Sequence, residues 1–117
     1  LKEINNYILK EHGYKLNTPI CKHDGHFISY SEDGHIVHTH KDKNPNEDTL
    51  IVRFNVMVSK PFKGGNPIIE GDEIKVKENE VWVCKAGEVF HGTSKVQGEK
   101  PRIMLSFGHH INKKLIK

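Results

Sequence analysis

Long apolar runs are missing from these 117 residues. No stretch approaches the roughly 20 residues that a membrane-crossing helix needs, and no signal-peptide pattern opens the chain. A membrane partner is therefore not expected. Cysteine is scarce: Cys21 and Cys84 are the only two, far apart and outside any C-x-x-C pair. That excludes a disulfide framework and points to two free, half-buried thiols in a reducing cytoplasm. Charge of one sign is also lacking. Eighteen Lys and Arg against fifteen Asp and Glu leave a net charge of +3. The lysines are scattered apart from Lys113, Lys114 and Lys117, and no aromatic residues interleave with them, so nucleic acid is not an expected partner. Internal repeats, low-complexity tracts and linkers are absent, and the length suits a single domain spanning 1–117.

Histidine, in contrast, is plentiful, with nine residues in the chain. Three of them, with a carboxylate, fall in Gly34-His35-Ile36-Val37-His38-Thr39-His40-Lys41-Asp42. Side chains at i and i+2 of a strand share a face, so His40 and Asp42 can reach one metal ion together. A third ligand has to come from far along the chain, and His91 is the best candidate. His35 and His38 read as supporting or surface positions. His109 and His110 read as solvated residues after the last strand.

The rest of the pattern is mainly β. Residues 1–12 predict a short helix, with Ile4, Tyr7 and Ile8 on one face and Gly13 as the stop. Period-two alternation then predicts strands at 27–30, 35–40, 49–59, 68–69, 74–76, 81–84, 89–96 and 102–107, cut by Gly-, Pro- and Asn-rich turns. Trp82 and Phe90 read as core, and Cys84 as a packing residue beside Trp82. About eight short strands at this spacing suggest a sandwich or barrel, and a jelly roll in particular. Such a fold pairs distant strands and would bring residue 91 beside residue 40.

Two imidazoles and one carboxylate on one face of an octahedral ion leave three positions open. This facial arrangement suits non-haem Fe(II). Arg102 lies on the strand after His91 and would set a permanent cation in the same interior, able to hold a carboxylate in bidentate fashion.

Tyr30, His40-Lys41-Asp42, Arg53-Phe54-Asn55-Val56-Met57, Gly64-Gly65, Ala86-Gly87, His91-Gly92 and Pro101-Arg102 together resemble the Fe(II)/2-oxoglutarate-dependent oxygenase superfamily, in its prolyl-4-hydroxylase-like branch. The resemblance runs from about Phe27 to Phe107. It implies a double-stranded β-helix, or jelly roll, and a dioxygenase that hydroxylates an unactivated C–H bond while 2-oxoglutarate and O2 yield succinate and CO2. Peptide, amino acid or small-molecule substrates are implied, a prolyl side chain among them, with ascorbate as reductant. By the same resemblance His40, Asp42 and His91 bind iron, and Arg102 pairs with the far carboxylate of 2-oxoglutarate. Tyr30 hydrogen-bonds the co-substrate and Thr93 lines the pocket. Met57 stands where some relatives carry Tyr, and Asn55 is the candidate to replace that contact. The helical region before the barrel is shorter than in many relatives. The competing expectation is a cupin-like metal- or ligand-binding jelly roll using His38, His40 and His91. It lacks the glutamate that cupins place after H-x-H, since Asn44 and Pro45 stand there, and it leaves Asp42 without a role.

Overall fold

A computed structural model describes residues 1–23 and 25–117. Helix α1 spans Lys2–Glu11. Among the described residues seven strands follow: β1 His26–Ser31, β2 Thr49–Ser59, β3 Pro67–Ile69, β4 Asp72–Glu73, β5 Val81–Cys84, β6 His91–Thr93 and β7 Arg102–Asn112. They form a four-stranded antiparallel sheet in the order β1-β7-β2-β5 and a three-stranded antiparallel sheet in the order β4-β3-β6. The architecture is mainly β, with antiparallel sheets compatible with a sandwich. The strand pairing among the described residues does not close into a barrel. No helix among them is long and apolar enough to cross a membrane.

The long strand β2 forms because β-branched and aromatic residues fill a pleated surface well. Its alternation sorts two interiors. Leu50, Val52 and Phe54 point to one side, where they pack with Phe107, Ile111 and the Ile8 and Leu9 of α1. Ile51 points to the other side, with Cys21, Cys84 and Ala86, and Arg53 and Asn55 line a cavity there. Helix α1 ends where Gly13 adopts φ +79, a left-handed conformation that costs glycine little.

The segment 35–40 is not a strand. It runs beside 91–96 with bonds from Val96 N to His35 O (2.9 Å) and Thr93 N to Val37 O (3.0 Å). The return bond from Val37 N goes instead to the Thr93 hydroxyl, at 3.1 Å. That side chain takes a ladder position, and regular pairing lapses. The same irregularity shortens the expected 89–96 strand to β6. No strand forms at 74–76 either. Ile74 N donates to Pro67 O (2.8 Å), but proline has no N–H to return, and β4 lies earlier, at Asp72–Glu73.

Two further expectations are corrected. β7 continues through His109 and His110 to Asn112, and His109 is fully buried rather than solvated. Its Nε2 lies 2.8 Å from the Asn5 side-chain amide and its Nδ1 3.2 Å from Pro19 O, so it ties α1 to the sheet. Phe90 is 51% exposed, not core; the Lys41 ammonium sits over its ring at 4.4 Å. Both cysteines are buried and free, as distant single thiols would be.

Candidate metal centre

Backbone bonding places the three ligand candidates before any side chain is considered. His40 and His91 exchange both backbone hydrogen bonds, at 2.9 and 2.8 Å, as an isolated antiparallel bridge. Two residues further on, Asp42 N donates to Ala86 O at 2.9 Å. Asn44 then staples the loop. Its amide donates to Gly87 O (3.0 Å), and its oxygen accepts from Ile51 N (2.9 Å). Gly92 allows the close approach of the two segments, because a Cβ there would lie 2.6 Å from Val37 O. The sequence pair His91-Gly92 thus has a steric meaning: a ligand followed by bare backbone.

The side chains converge accordingly. His40 Nε2 lies 3.5 Å and His91 Nε2 3.4 Å from Asp42 Oδ1, and one ligand atom from each residue falls within 4.8 Å of the others. The Nδ1 atoms are committed elsewhere. His40 Nδ1 lies 2.8 Å from His38 O, and His91 Nδ1 lies 2.9 Å from Val89 O. A carbonyl can only accept, so each Nδ1 carries its hydrogen, and each Nε2 is left either to give a lone pair to an ion beside Asp42 or, without an ion, to carry a proton toward it. That tautomer, fixed by a backbone acceptor, is the one metal-binding imidazoles use.

Without an ion the cluster is an acid–base pair. Burial raises the Asp42 pKa, but hydrogen bonds from His91 and Arg53 outweigh it and bring it down to about 2. The hydrogen bond to Asp42, with Cys84 as a further neighbour, raises His91 to about 10. Asp42 and His91 are mostly buried, whereas the His40 ring is half exposed.

A cavity of about 550 Å³ opens from the cluster between the two sheets. The sheet register orders its wall. Arg53, flanked by Cys84 and Gly108, is nearest Asp42 along β2. Next comes the row Phe27, Ser106, Asn55, Trp82, one residue from each strand, then Ser29 beside Met104, then Ser31 beside Arg102. The wall therefore begins with a cation beside Asp42, passes through rows of mixed polar and apolar side chains, and ends at a second cation, Arg102. In the first of these rows Asn55 Oδ1 and Ser106 Oγ are buried without a hydrogen-bond partner among the described residues.

Arg102 is only 2% exposed. Its Nε donates to Gly65 O at 2.7 Å, and Nη2 lies 3.4 Å from Met104 Sδ. No carboxylate among the described residues is within ion-pair range of it. Burial lowers its pKa to about 10. A buried guanidinium without a counter-charge is costly, and a carboxylate entering the cavity would supply one.

Of the residues singled out in the sequence, His40, Asp42, His91, Arg102, Asn55 and Thr93 all line this cavity. Tyr30 does not. It stands 61% exposed on the opposite face of β1, and its neighbour Ser29 faces inward. Period two fixes which residues share a face but not which face is inside, and here the pairing of Ser29 with Met104 decides it. The Thr93 hydroxyl accepts from Val37 N, a role in the wall itself. His38 is exposed and contributes its carbonyl rather than its ring, so the cupin-like ligand set does not assemble. The contact from Arg53 to Asp42 (2.9 Å) went unread in the sequence; a cation inside an otherwise apolar strand is the signal that could have found it. Ser106 carried no signal of its own.

Comparison with known proteins adds nothing to this geometry: no family model, no curated protein and no solved structure matches the chain.

Proposed function

We propose that this protein is an Fe(II)- and 2-oxoglutarate-dependent dioxygenase that hydroxylates a C–H bond, built on a jelly roll like that of the prolyl-4-hydroxylases. One juxtaposition carries the reading: a two-His, one-carboxylate cluster and a buried Arg102, which has no ion-pair partner among the described residues, share one cavity. The donor set fits Fe(II), since imidazole and carboxylate are borderline-to-hard ligands and three of them leave positions for exchangeable ligands. Bound iron would supply the activation of O2 that couples decarboxylation of 2-oxoglutarate to oxidation of the substrate.

The chain's own residues do the rest. His40, Asp42 and His91 hold the ion, with each imidazole fixed by a backbone carbonyl. Arg102 takes the far carboxylate of the co-substrate. Phe27, Trp82 and Met104 line the intervening wall with apolar surface, which suits methylenes and keeps water away from the reacting centre. Asn55 and Ser106 offer unsatisfied polar atoms to the end nearer the metal. The substrate class is an amino-acid side chain, prolyl included, or a small molecule, entering past the exposed ring of His40.

Anaerobic titration tests the reading. Protein with Fe(II) should develop a weak visible charge-transfer band when 2-oxoglutarate is added, and D42A and H91A should not. A parent protein that binds Fe(II) but gives no band would leave a plain metal-binding module, and one that binds no metal would end the reading altogether.

A further inference from the structure

Asp42 has two oxygens, and they are treated differently. Oδ1 faces the Nε2 atoms of His40 and His91 at 3.5 and 3.4 Å. Oδ2 accepts a hydrogen bond from Arg53 Nε at 2.9 Å. We infer that Arg53 is a positioning residue that occupies Oδ2 and so restricts Asp42 to binding an ion through Oδ1 alone. The inference rests on the metal reading above and adds a claim about how the carboxylate is held.

The seat of the guanidinium is built. Arg53 projects from the middle of β2, paired on one side with Gly108 of β7 and on the other with Cys84 of β5. A Cβ at position 108 would lie 2.7 Å from Arg53 Nη1 and 3.2 Å from Cζ. The guanidinium therefore rests on bare backbone, and any larger residue would push it. The Phe27 ring lies 5.3 Å away, within cation–π range. The Arg53 side chain is only 14% exposed. Held in this way, its Nε–H direction is fixed, and with it the rotation of the Asp42 carboxylate about its Cβ–Cγ bond.

The consequence is a coordination number. An aspartate free to rotate can chelate through both oxygens and use up a second position on the ion. An aspartate whose Oδ2 is engaged leaves that position open. A centre that must admit a chelating co-substrate and one more ligand needs three open positions, and Arg53 keeps them available.

Two effects of removing Arg53 oppose each other, which makes the test decisive in sign. Deleting a cation beside a divalent-metal site relieves repulsion, so electrostatics alone predicts tighter metal binding. Loss of an outer partner that orients a ligand typically costs about 10–100-fold in affinity. The test is titration with Co(II) alone, followed by its visible absorption, on the parent, R53M, R53K and G108A. R53M should bind Co(II) about 10–100-fold more weakly with an altered spectrum, reporting a changed carboxylate mode. R53K should fall between parent and R53M. G108A keeps every charge; its Cβ presses hardest on the guanidinium, at 2.7 Å from Nη1, and more lightly on Cys21 Sγ, at 3.2 Å, so it should weaken binding as well, and it serves if R53M fails to fold. Equal or tighter binding by R53M, parent-like binding by G108A, or weaker binding with an unchanged Co(II) spectrum would each overturn the inference. A parent that binds no Co(II) would instead overturn the metal reading beneath it.

Discussion

Replacing Arg102 by Met should push fold stability and ligand affinity in different directions. The guanidinium is almost fully buried, and among the described residues its polar contacts are Gly65 O and Met104 Sδ. Burial lowers its pKa from the ordinary arginine range to about 10, a penalty on the order of 3 kcal/mol for keeping the charge at neutral pH. Methionine, unbranched and adaptable, fills much of the same space without that penalty. It gives up the charged hydrogen bond to Gly65, worth about 1.5–3 kcal/mol. The two terms nearly cancel, so the unliganded R102M variant should unfold within about 2 kcal/mol of the parent. Its affinity for 2-oxoglutarate should behave very differently. Truncating one partner of a buried, hydrogen-bonded charge pair costs about 2–5 kcal/mol, or roughly 30- to 5,000-fold in Kd. The assay is calorimetric titration of 2-oxoglutarate into Mn(II)-loaded protein, with thermal melts of the metal-free forms alongside. A 2-oxo acid without a distal carboxylate provides the control, since parent and variant should bind it equally. If R102M binds 2-oxoglutarate within threefold of the parent, the cation does not serve the ligand and the co-substrate assignment fails.

Two further outcomes follow from the geometry. In the metal-free protein His91 is raised to about 10, so its contribution is full below about pH 6.5 and fades as pH rises through 10; Asp42 is lowered to about 2, so its contribution is full above about pH 4 and fades as pH falls through 2. The stability gap between parent and H91Q should therefore be widest between about pH 4 and 6.5, at about 1–3 kcal/mol for a mostly buried pair, and a gap that does not vary with pH in chemical denaturation would contradict the pairing. In the helix-side core, Phe54 is fully buried, with the rings of His12 and Tyr14 5.3 and 5.8 Å away, so F54A should cost about 3–5 kcal/mol; a loss below about 1 kcal/mol in urea unfolding would mean that α1 does not depend on this floor.

The parts of the fold that were legible in the sequence are those whose hydrogen bonding is regular. Residues 49–59 alternate cleanly and form β2 with the expected bounds. Residues 81–84 form β5, with Trp82 and Cys84 both on the cavity side. The helix was visible because an apolar spacing meets a stop at Gly13, but of the face expected from Ile4, Tyr7 and Ile8 only Ile8 is buried, with Leu9 and Asn5 beside it, while Ile4 and Tyr7 are exposed. What escaped depends on side chains that act as backbone partners. Thr93 replaces a ladder acceptor and dissolves the strand expected at 35–40. His109 looks like a polar tail in one dimension, but Asn5, more than a hundred residues earlier, supplies its partner. Tyr30 was misread by a single parity choice that only the β1–β7 register settles. The convergence of residues 40, 42 and 91 could be anticipated because ligand chemistry restricts which residue types are worth bringing together. The hold of Arg53 on Asp42 is only half visible: a cation inside an apolar strand marks the position, but an arginine on a strand has many possible acceptors and only the register with Gly108 narrows them.

The backbone bridge between His40 and His91 makes no use of either imidazole. Positions 40 and 91 are thus sockets whose separation is set by the main chain, into which different donor groups can be fitted without rebuilding the walls. Under the proposed metal binding, a lineage carrying this scaffold could alter the ion by single substitutions at 40, 42 or 91, one donor at a time, while the cavity wall of Phe27, Trp82, Met104 and Arg102 stays as it is.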